Sequence, residues 1–362
     1  MHMPHKKRIL SGAAALREAI DQSMAKDPSV FVVGEGVPDP KGIFGTTIGL
    51  QEKYGKNRVW DMPVSENGMT GACIGAALAG MRPILTHQRV DFALLSLDQI
   101  INNAAKWYFM FGGQQSIPLV IRMVIGHGWG QGAQHSQNLQ ALFAHIPGLK
   151  VVMPSQPHNA KGLLMASIAD PNPVIFLEHR WVHSVTGDVP QGHYRTPLGQ
   201  AQVMRRGTDL TLVSSSYMAL ESLRAAVLLE KMGISAEVID LQTISPLDEK
   251  TIASSVKKTG HLIVVDSGWT NGGIAGEIIA RMAISHMSAL KSAPARVALP
   301  DMPAPSSPGL TKYYYPNIET ILLSVSNMLG KKTDYIKKIL AENHAGSKIP
   351  HDVPNASFMG PF

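Results

Sequence analysis

Cysteine occurs once in 362 residues, at Cys73. One thiol excludes an intramolecular disulfide framework, fits a reducing compartment, and leaves no cysteine-based zinc site; within GACIGAALAG it reads as a small packing residue. Long apolar runs are missing too. Segments such as LIVVD and LTLVSSS stop well short of the roughly 20 apolar residues that a membrane-spanning helix needs, so no membrane partner is expected. The opening MHMPHKKRIL is basic but has neither the apolar core nor the small-residue cleavage site of an export signal, and a cytoplasmic location is the expectation. The net charge of +6 is not gathered into a stripe. The densest basic runs, HKKR and GKKTDYIKK, fall near the two ends without interleaved aromatics, which argues against nucleic acid. Positive charge spread over separate sites suits anionic small molecules better. Nucleotide signatures are also absent: there is no GxxxxGK[ST], and GEGVPDPKG has the wrong third position, with prolines where a helix should begin. Kinase and nicotinamide chemistry therefore have no basis in the sequence.

What is present is a globular chain. With 44% hydrophobic residues, 362 residues can bury a sizeable core and should divide into about two domains. Ser11 is a candidate N-cap for a helix over 11–25, and VFVVGEGV follows as a buried strand stopped by glycine. The theme repeats. GMTGACIGAALAG, LLSLDQIINNAAKWYF and HNAKGLLMASIAD are predicted helices; MRPILTH, IPLVIRMVIG and NPVIFLEH are predicted strands. A second alternating series comprises LTLVSSS, ALESLRAAVLLEKMG, SAEVIDL, LIVVDSG and GGIAGEIIARMAI. Such alternation predicts an α/β fold of two domains with mainly parallel sheets. The expected boundaries are a first domain over 1–190, a linker over 191–206, a second domain over 207–330, and a polar tail over 331–362 to which no structure is assigned.

In a parallel sheet, ligands gather at the carboxyl ends of the strands, where the GEGV, VSENG, QRVDF and GHGWG loops should fall. In VWDMPVSENGMTG, Ser65 is a candidate N-cap and Glu66 stands in the first helical turn. There a carboxylate is favoured by unpaired amides and the helix dipole, so capping alone would explain it. The following helix is so poor in bulky side chains that a neighbouring helix or subunit should approach it closely. GHGWGQGAQHSQ sets four glycines within seven residues ahead of His135. The density suggests backbone passing close to a ligand, while a histidine capping the next helix is the plainer alternative.

Taken in order, GEGV, MPVSENG, GMRPI, the DF of QRVDF, LDQIINNAAK, FGGQ, GAQHSQ, IPGLKVVMPSQPHNAKGLL and DPNPVIFLEH closely resemble the β subunit of the two-component, thiamine-diphosphate-dependent 2-oxoacid dehydrogenases. The resemblance runs over residues 10–330. It implies a transketolase-type pyrimidine-binding domain followed by a transketolase C-terminal domain, assembled with an α subunit as an α2β2 heterotetramer that includes homodimer contacts between β subunits. In such enzymes the cofactor's own 4′-imino group, formed once a carboxylic acid hydrogen-bonds N1′ of the aminopyrimidine, removes the proton from C2 of the thiazolium. Glu66 matches that acid and should be buried. Phe92 matches the aromatic stacked on the pyrimidine, and Glu35 a carboxylate of a polar channel linking paired sites. His135 matches the active-site histidine near C2. Ser167, Asp170 and Asn172 resemble a loop that holds a monovalent cation such as K+ through main-chain oxygens; a plain helix C-terminus is the alternative.

The diphosphate needs a divalent ion, and the family's metal signature, beginning GDG, is absent here. The resemblance thus places Mg2+ on the α subunit and leaves this chain the pyrimidine half only. The chain also departs from the family. THQRVDF puts His87 and Arg89 near the site, and the glycine loop adds His127 and Trp129, groups suited to a polar or anionic substrate. A split transketolase-like or carboligating enzyme is the alternative to 2-oxoacid decarboxylation with acyl transfer to an acyltransferase core. A non-catalytic scaffold for the α-like partner is the alternative from another class.

Overall fold

The structure, a computed structural model, describes residues 7–127, 131–331, 336 and 338–341. These fall into two compact units. The first holds the described residues up to Ile125 together with Leu142–Leu198; the second holds those of Gly126–Ala141 and those from Gly199 onward.

The first unit opens with β1 (Ile9–Ser11) and α1 (Gly12–Lys26), then β2 (Val30–Val33), α2 (Leu50–Tyr54), β3 (Val59–Trp60), α3 (Glu66–Leu78) and β4 (Arg82–His87). It continues through α4 (Ala105–Met110), β5 (Val120–Ile125), α5 (Gln140–Ala144, at the division), β6 (Lys150–Val152), α6 (Pro157–Ala169), β7 (Val174–His179) and β8 (Thr186–Asp188). Its sheet runs β6-β7-β5-β4-β2-β3, with every neighbouring pair parallel. VFVV, VIRMVI and VIFLEH are buried at every position, as a sheet covered on both faces requires. Helix α1 starts where Ser11 accepts a hydrogen bond from the amide of Ala14 at 3.2 Å. Its Leu16, Ala19, Ile20 and Met24 recur at helical spacing on one buried stripe that packs toward α6. Each such leucine or isoleucine contributes about 1.5–3 kcal/mol by leaving water.

The second unit contains β9 (Gln202–Arg205), β10 (Leu210–Ser214), α7 (Ser216–Lys231), β11 (Ala236–Asp240), β12 (Thr243–Ser245), α8 (Glu249–Thr259), β13 (Leu262–Trp269), α9 (Ile274–His286), β14 (Ala295–Leu299), α10 (Pro308–Tyr314) and α11 (Ile318–Leu329). Its five-stranded sheet runs β14-β13-β10-β11-β9, parallel except for β9 against β11. Asp248 caps α8 by accepting from the amide of Thr251 at 3.1 Å, and Asn317 and Thr320 close a reciprocal capping box on α11. Both caps fix where helices meet the sheet.

Three local readings change. LLSLDQIINNAAKWYF is not one helix: a 3-10 helix over Phe92–Ser96 is followed by a π-helical stretch over Gln99–Ala104, and only then by α4. The wider turn brings Ile100, Ala104 and Ala105 inward together, and apolar periodicity does not register the extra residue. Residues 202–205, within the stretch read as linker, form β9; its half-exposed edge position leaves no run of buried residues to find. Most of the tail lies outside the described residues, but Ile336, Ile339 and Leu340 are helical and buried.

Candidate active site

Strands β4, β2 and β3 lie side by side, so the loops leaving their carboxyl ends come out next to one another. The GEGV turn follows β2. A Cβ on Gly34 would sit 2.2 Å from the Thr86 carbonyl oxygen, so only glycine lets this loop cross β4 so closely. Gly36 has φ +70°, and its amide donates to the Asp61 carboxylate at 3.0 Å. Glu35 is thereby held between β2 and β4, with the Gln88 side chain donating to its carbonyl at 3.3 Å. Its carboxyl is raised above the usual carboxylate range, first by burial, then by the charges of Glu66 and Asp61. The buried Oε1 of Glu35 has no hydrogen-bond partner among the described residues.

Helix α3 begins beside this turn. Ser65 occupies the N-cap position, but its side chain makes no capping hydrogen bond, so the expected serine cap is not formed. The surrounding residues are open to solvent, with Val64 82% exposed, yet Glu66 is only 4% exposed. A carboxylate serving as a helix cap would face the amides and water. Glu66 instead turns inward toward Glu35, while its carbonyl accepts from the Thr70 hydroxyl one turn on at 2.7 Å. Glu35, Glu66 and Asp61 form no ion pair among the described residues, so three carboxylates share one corner without a cation. The 3-10 helix opened by Phe92 packs against α3 and brings that aromatic residue to the same edge.

His87 and Arg89, both placed near the site by the sequence, do not share one strand face. Strand β4 ends at His87, so the alternating pleat does not carry on to Arg89. His87 is 2% exposed, its Nε2 has no partner among the described residues, and burial lowers its pKa to about 4. It is neutral at pH 7 and supplies no charge for an anion. Arg89 is buried with its guanidinium 5.9 Å from the Phe44 ring centre; Arg180 approaches the same ring at 4.4 Å. Phe44 itself has φ +48°, a conformation non-glycine residues rarely adopt. Linked to this cluster through His183, Arg122 donates to both oxygens of Glu178 at 2.6 and 2.9 Å, and Glu178 meets His183 Nε2 at 2.8 Å.

The second unit holds two expected residues. His127 is buried and stacked on Tyr315, with centroids 3.6 Å apart and planes 14° apart. His135 is half-buried in the turn over 132–136, ahead of a helix that begins only at Gln140, so it is not a helix cap. Trp129 lies outside the described residues.

At Ser167, Asp170 and Asn172, α6 ends in a closed turn: the Asp170 amide donates to the Ser167 carbonyl at 3.2 Å and the Asn172 amide to the Asp170 carboxylate at 2.9 Å. Arg82 donates to the Ile168 and Asp170 carbonyls at 2.9 and 3.2 Å, and Lys150 pairs with the Asp170 carboxylate. These oxygens already serve a helix C-terminus. No group of three or more His, Cys, Asp or Glu side chains that could hold a metal occurs among the described residues.

Asp61, Phe44, Arg180 and Tyr315 went unread in the sequence. Asp61 stands five residues before Glu66 in WDMPVSE and could have been taken as a loop acid of the same site; the other three depend on tertiary approach and give no local signal.

Residues 10–182 match the family described as transketolase, pyrimidine binding domain, and residues 199–321 match transketolase, C-terminal domain. The chain is 45% identical over 324 residues to the β subunit of acetoin:2,6-dichlorophenolindophenol oxidoreductase of Cupriavidus necator, covering 87% of this chain and 96% of that one. It is 39% identical over 336 residues to the subunit of the same name in Bacillus subtilis, covering 90% and 98%. With the β-1 subunit of the mitochondrial pyruvate dehydrogenase E1 component of Arabidopsis thaliana it shares 42% over 312 residues, covering 85% and 86%. Among solved structures, a split gene transketolase described as an inactive β4 tetramer superposes with a TM-score of 0.73 at 20% identity, covering 89% of this chain and 99% of that one, a likeness of fold. Two matched domains in order, and identity along nearly the whole of the relatives, establish that this chain belongs to the β-subunit family of the two-component, thiamine-diphosphate-dependent 2-oxoacid dehydrogenases.

Proposed function

We propose that this chain supplies the pyrimidine-binding half of a two-subunit active site, with Glu66 as the acid that hydrogen-bonds N1′ of thiamine diphosphate. The observation that carries this reading is the burial of Glu66 at an otherwise exposed helix start, against Glu35 and without a cation. The residues present fit the cofactor's pyrimidine: a buried carboxylate, an aromatic side chain in Phe92 on the packed 3-10 helix, and an unpartnered Glu35 Oε1 beside them. When bound, the cofactor would supply a thiazolium whose deprotonated carbon is the nucleophile toward a 2-oxoacid carbonyl and whose ring is the electron sink for decarboxylation. Glu66 holds a proton toward the ring nitrogen, Phe92 fixes the ring plane, and Glu35 extends the acid relay away from it. The resemblance assigns His135 a proton transfer near the reacting carbonyl and puts His127, which stacks on Tyr315, among the substrate residues.

The diphosphate and its Mg2+ belong to an α subunit, because this chain lacks the metal signature. The exposed stripe of Gly68, Ala72 and Gly75 on α3, continued by its C-cap Ala79, together with Phe109 at 88% exposure, supports a close subunit interface and an α2β2 assembly containing β–β contacts. The turn over Ser167–Asn172 serves as a helix C-terminus closed by Arg82 and Lys150, and K+ has no part in this reading. A cytoplasmic location accords with the single cysteine. No helix among the described residues is long and apolar enough to cross a membrane.

Reconstitution tests the reading. The purified chain should bind thiamine diphosphate weakly and turn over nothing, and should gain 2-oxoacid decarboxylation when its α partner is added. Acyl transfer to a lipoyl domain, assayed beside transfer to aldehydes, separates the dehydrogenase reading from the carboligating one. Full activity from the chain alone would contradict the shared site.

A further inference from the structure

The amino-end side of the first unit's sheet carries a cavity, away from the carboxyl-end loops. It has a volume of about 280 Å³ and is bounded by the last turn of α1, the first residues of β2 and β4, the end of α6 and the segment at 193–195. Its floor is apolar, with Val30, Met165 and Ile168 buried beneath it. Its walls are basic: Lys26, Arg82 and Arg195 bring three full positive charges, and His193 stands among them. The one carboxylate in the lining, Asp27, is largely committed. Its Oδ1 accepts from the amide and hydroxyl of Ser29 at 2.9 and 2.6 Å, and its Oδ2 lies 3.8 Å from Arg82 Nε.

The cavity is built rather than incidental. Arg82 is locked in place by its bonds to the Ile168 and Asp170 carbonyls. The 193–196 segment is pinned to α6 at alternate residues, by the Tyr194 hydroxyl on the His158 carbonyl at 2.8 Å and by the Thr196 amide on the Gly162 carbonyl at 3.1 Å. With Tyr194 and Thr196 turned to the helix, the alternation of an extended chain leaves His193 and Arg195 on the other side. Lys26, His193 and Arg195 make no ion pair or side-chain hydrogen bond among the described residues. Three cations and one occupied carboxylate leave two positive charges without a counterion in a half-enclosed space, where electrostatic attraction exceeds that in open water.

We infer that this cavity is a binding site for a small phosphate-bearing anion, its phosphate held by Lys26, Arg82 and Arg195 and its apolar part resting on Met165 and Ile168. A tetrahedral dianion can accept hydrogen bonds from donors on several walls at once, and an arginine fork matches two of its oxygens. A planar monocarboxylate satisfies one fork and leaves half the charge unbalanced. The site lies at the amino ends of strands whose carboxyl ends carry Glu35 and the residues after His87, so an occupant would brace β2 and β4 from behind.

His193 is a natural reporter. Burial lowers its pKa first, and the neighbouring Lys26, Arg195 and Lys161 lower it further; Asp27 and Arg82 complete the charged lining. A bound dianion should reverse the effect of the cations. The experiment titrates the full-length chain with inorganic phosphate against sodium chloride at matched ionic strength, following the imidazole C2 proton of His193 by NMR, assigned with His193→Gln. Saturable movement with phosphate, and a titration midpoint raised by about one pH unit, is expected. Arg195→Met and Lys26→Met, both at exposed positions without an ion pair among the described residues, should each weaken phosphate binding roughly tenfold with unchanged melting temperatures. If phosphate and chloride move the resonance alike, or if the double variant saturates at the parent concentration, there is no anion site.

Discussion

Arg122 on β5 and Glu178 on β7 form a two-pronged ion pair with both side chains almost wholly buried, 1% and 2% exposed. Burial alone would raise the Glu178 carboxyl, but Arg122 and His183 hold it below the usual range. The pair also holds His183, whose ring lies 6.1 Å from that of Phe44, and so links to the cluster of Phe44 with Arg89 and Arg180. Removing one partner leaves an uncompensated buried charge. Glu178→Gln should therefore destabilise the chain by about 3–5 kcal/mol, read as a lower urea midpoint at unchanged slope, whereas the joint change of Arg122 and Glu178 to methionine should cost less than the single one.

Acid should weaken the fold before the depressed carboxylates such as Glu178 titrate. Burial lowers His87 to about 4 and His179 to about 3, whereas an imidazole in the unfolded chain protonates near 6.5. Because the folded values lie lower, the unfolded chain takes up protons first as pH falls below about 6.5, and stability declines from there toward pH 4 for His87 and pH 3 for His179. Glu178, depressed in the fold, contributes fully above about pH 4.3 and loses its contribution only below that. Between pH 7 and 5 the histidines act against the fold, while Glu35, whose folded carboxyl is raised by burial, works in the opposite sense. Urea unfolding should lose about 2–4 kcal/mol across this window, and His87→Met should reduce that slope; a flat profile would show that neither ring is held neutral.

Gly34 offers a steric test of the carboxylate corner. Its added Cβ would meet the Thr86 carbonyl at 2.2 Å, backbone against backbone. Gly34→Ala should cost about 1–3 kcal/mol through overpacking and displace Glu35, so that the assembled enzyme loses activity even at temperatures where it stays folded. Gly55→Ala, with nothing within 4 Å of its Cβ but φ +80°, serves as the control for backbone strain alone: it should lower the melting temperature and spare activity.

Arg89 faces the Phe44 ring beside Arg180, and His87 brings no charge to join it. Arg89→Met should consequently depress stability and affect charged and neutral acceptors alike. A KM rise of tenfold or more confined to anionic acceptors would restore a direct substrate contact for Arg89.

Alternating helix and strand patterns made the α/β architecture legible, since parallel strands such as VIRMVI and VIFLEH are buried on both faces and show it as unbroken apolar runs. Glu66 was legible only through the order of motifs around it; by itself, an acid after Ser65 reads as a cap, and the structure shows that the cap is not made. The π-helical turn at Gln99–Ala104 and the edge strand at Gln202–Arg205 were hidden because one extra residue per turn and a half-exposed strand scarcely alter hydrophobic periodicity. That His87 and Arg89 fall on either side of a strand end was hidden too, because a strand's last hydrogen bond is not written in its composition. Phe44 under two guanidinium groups and Tyr315 against His127 arise from chain segments far apart in sequence.

Glu66 as the acid that activates the cofactor is tested most directly by the rate at which the C2 proton of thiamine diphosphate exchanges with deuterium in the reconstituted α–β complex. Glu66→Gln should slow that exchange by about 10²–10⁴-fold while leaving subunit assembly and melting temperature unchanged. Exchange at the parent rate in a fully assembled Glu66→Gln complex would contradict the account and return Glu66 to the role of a buried structural carboxylate.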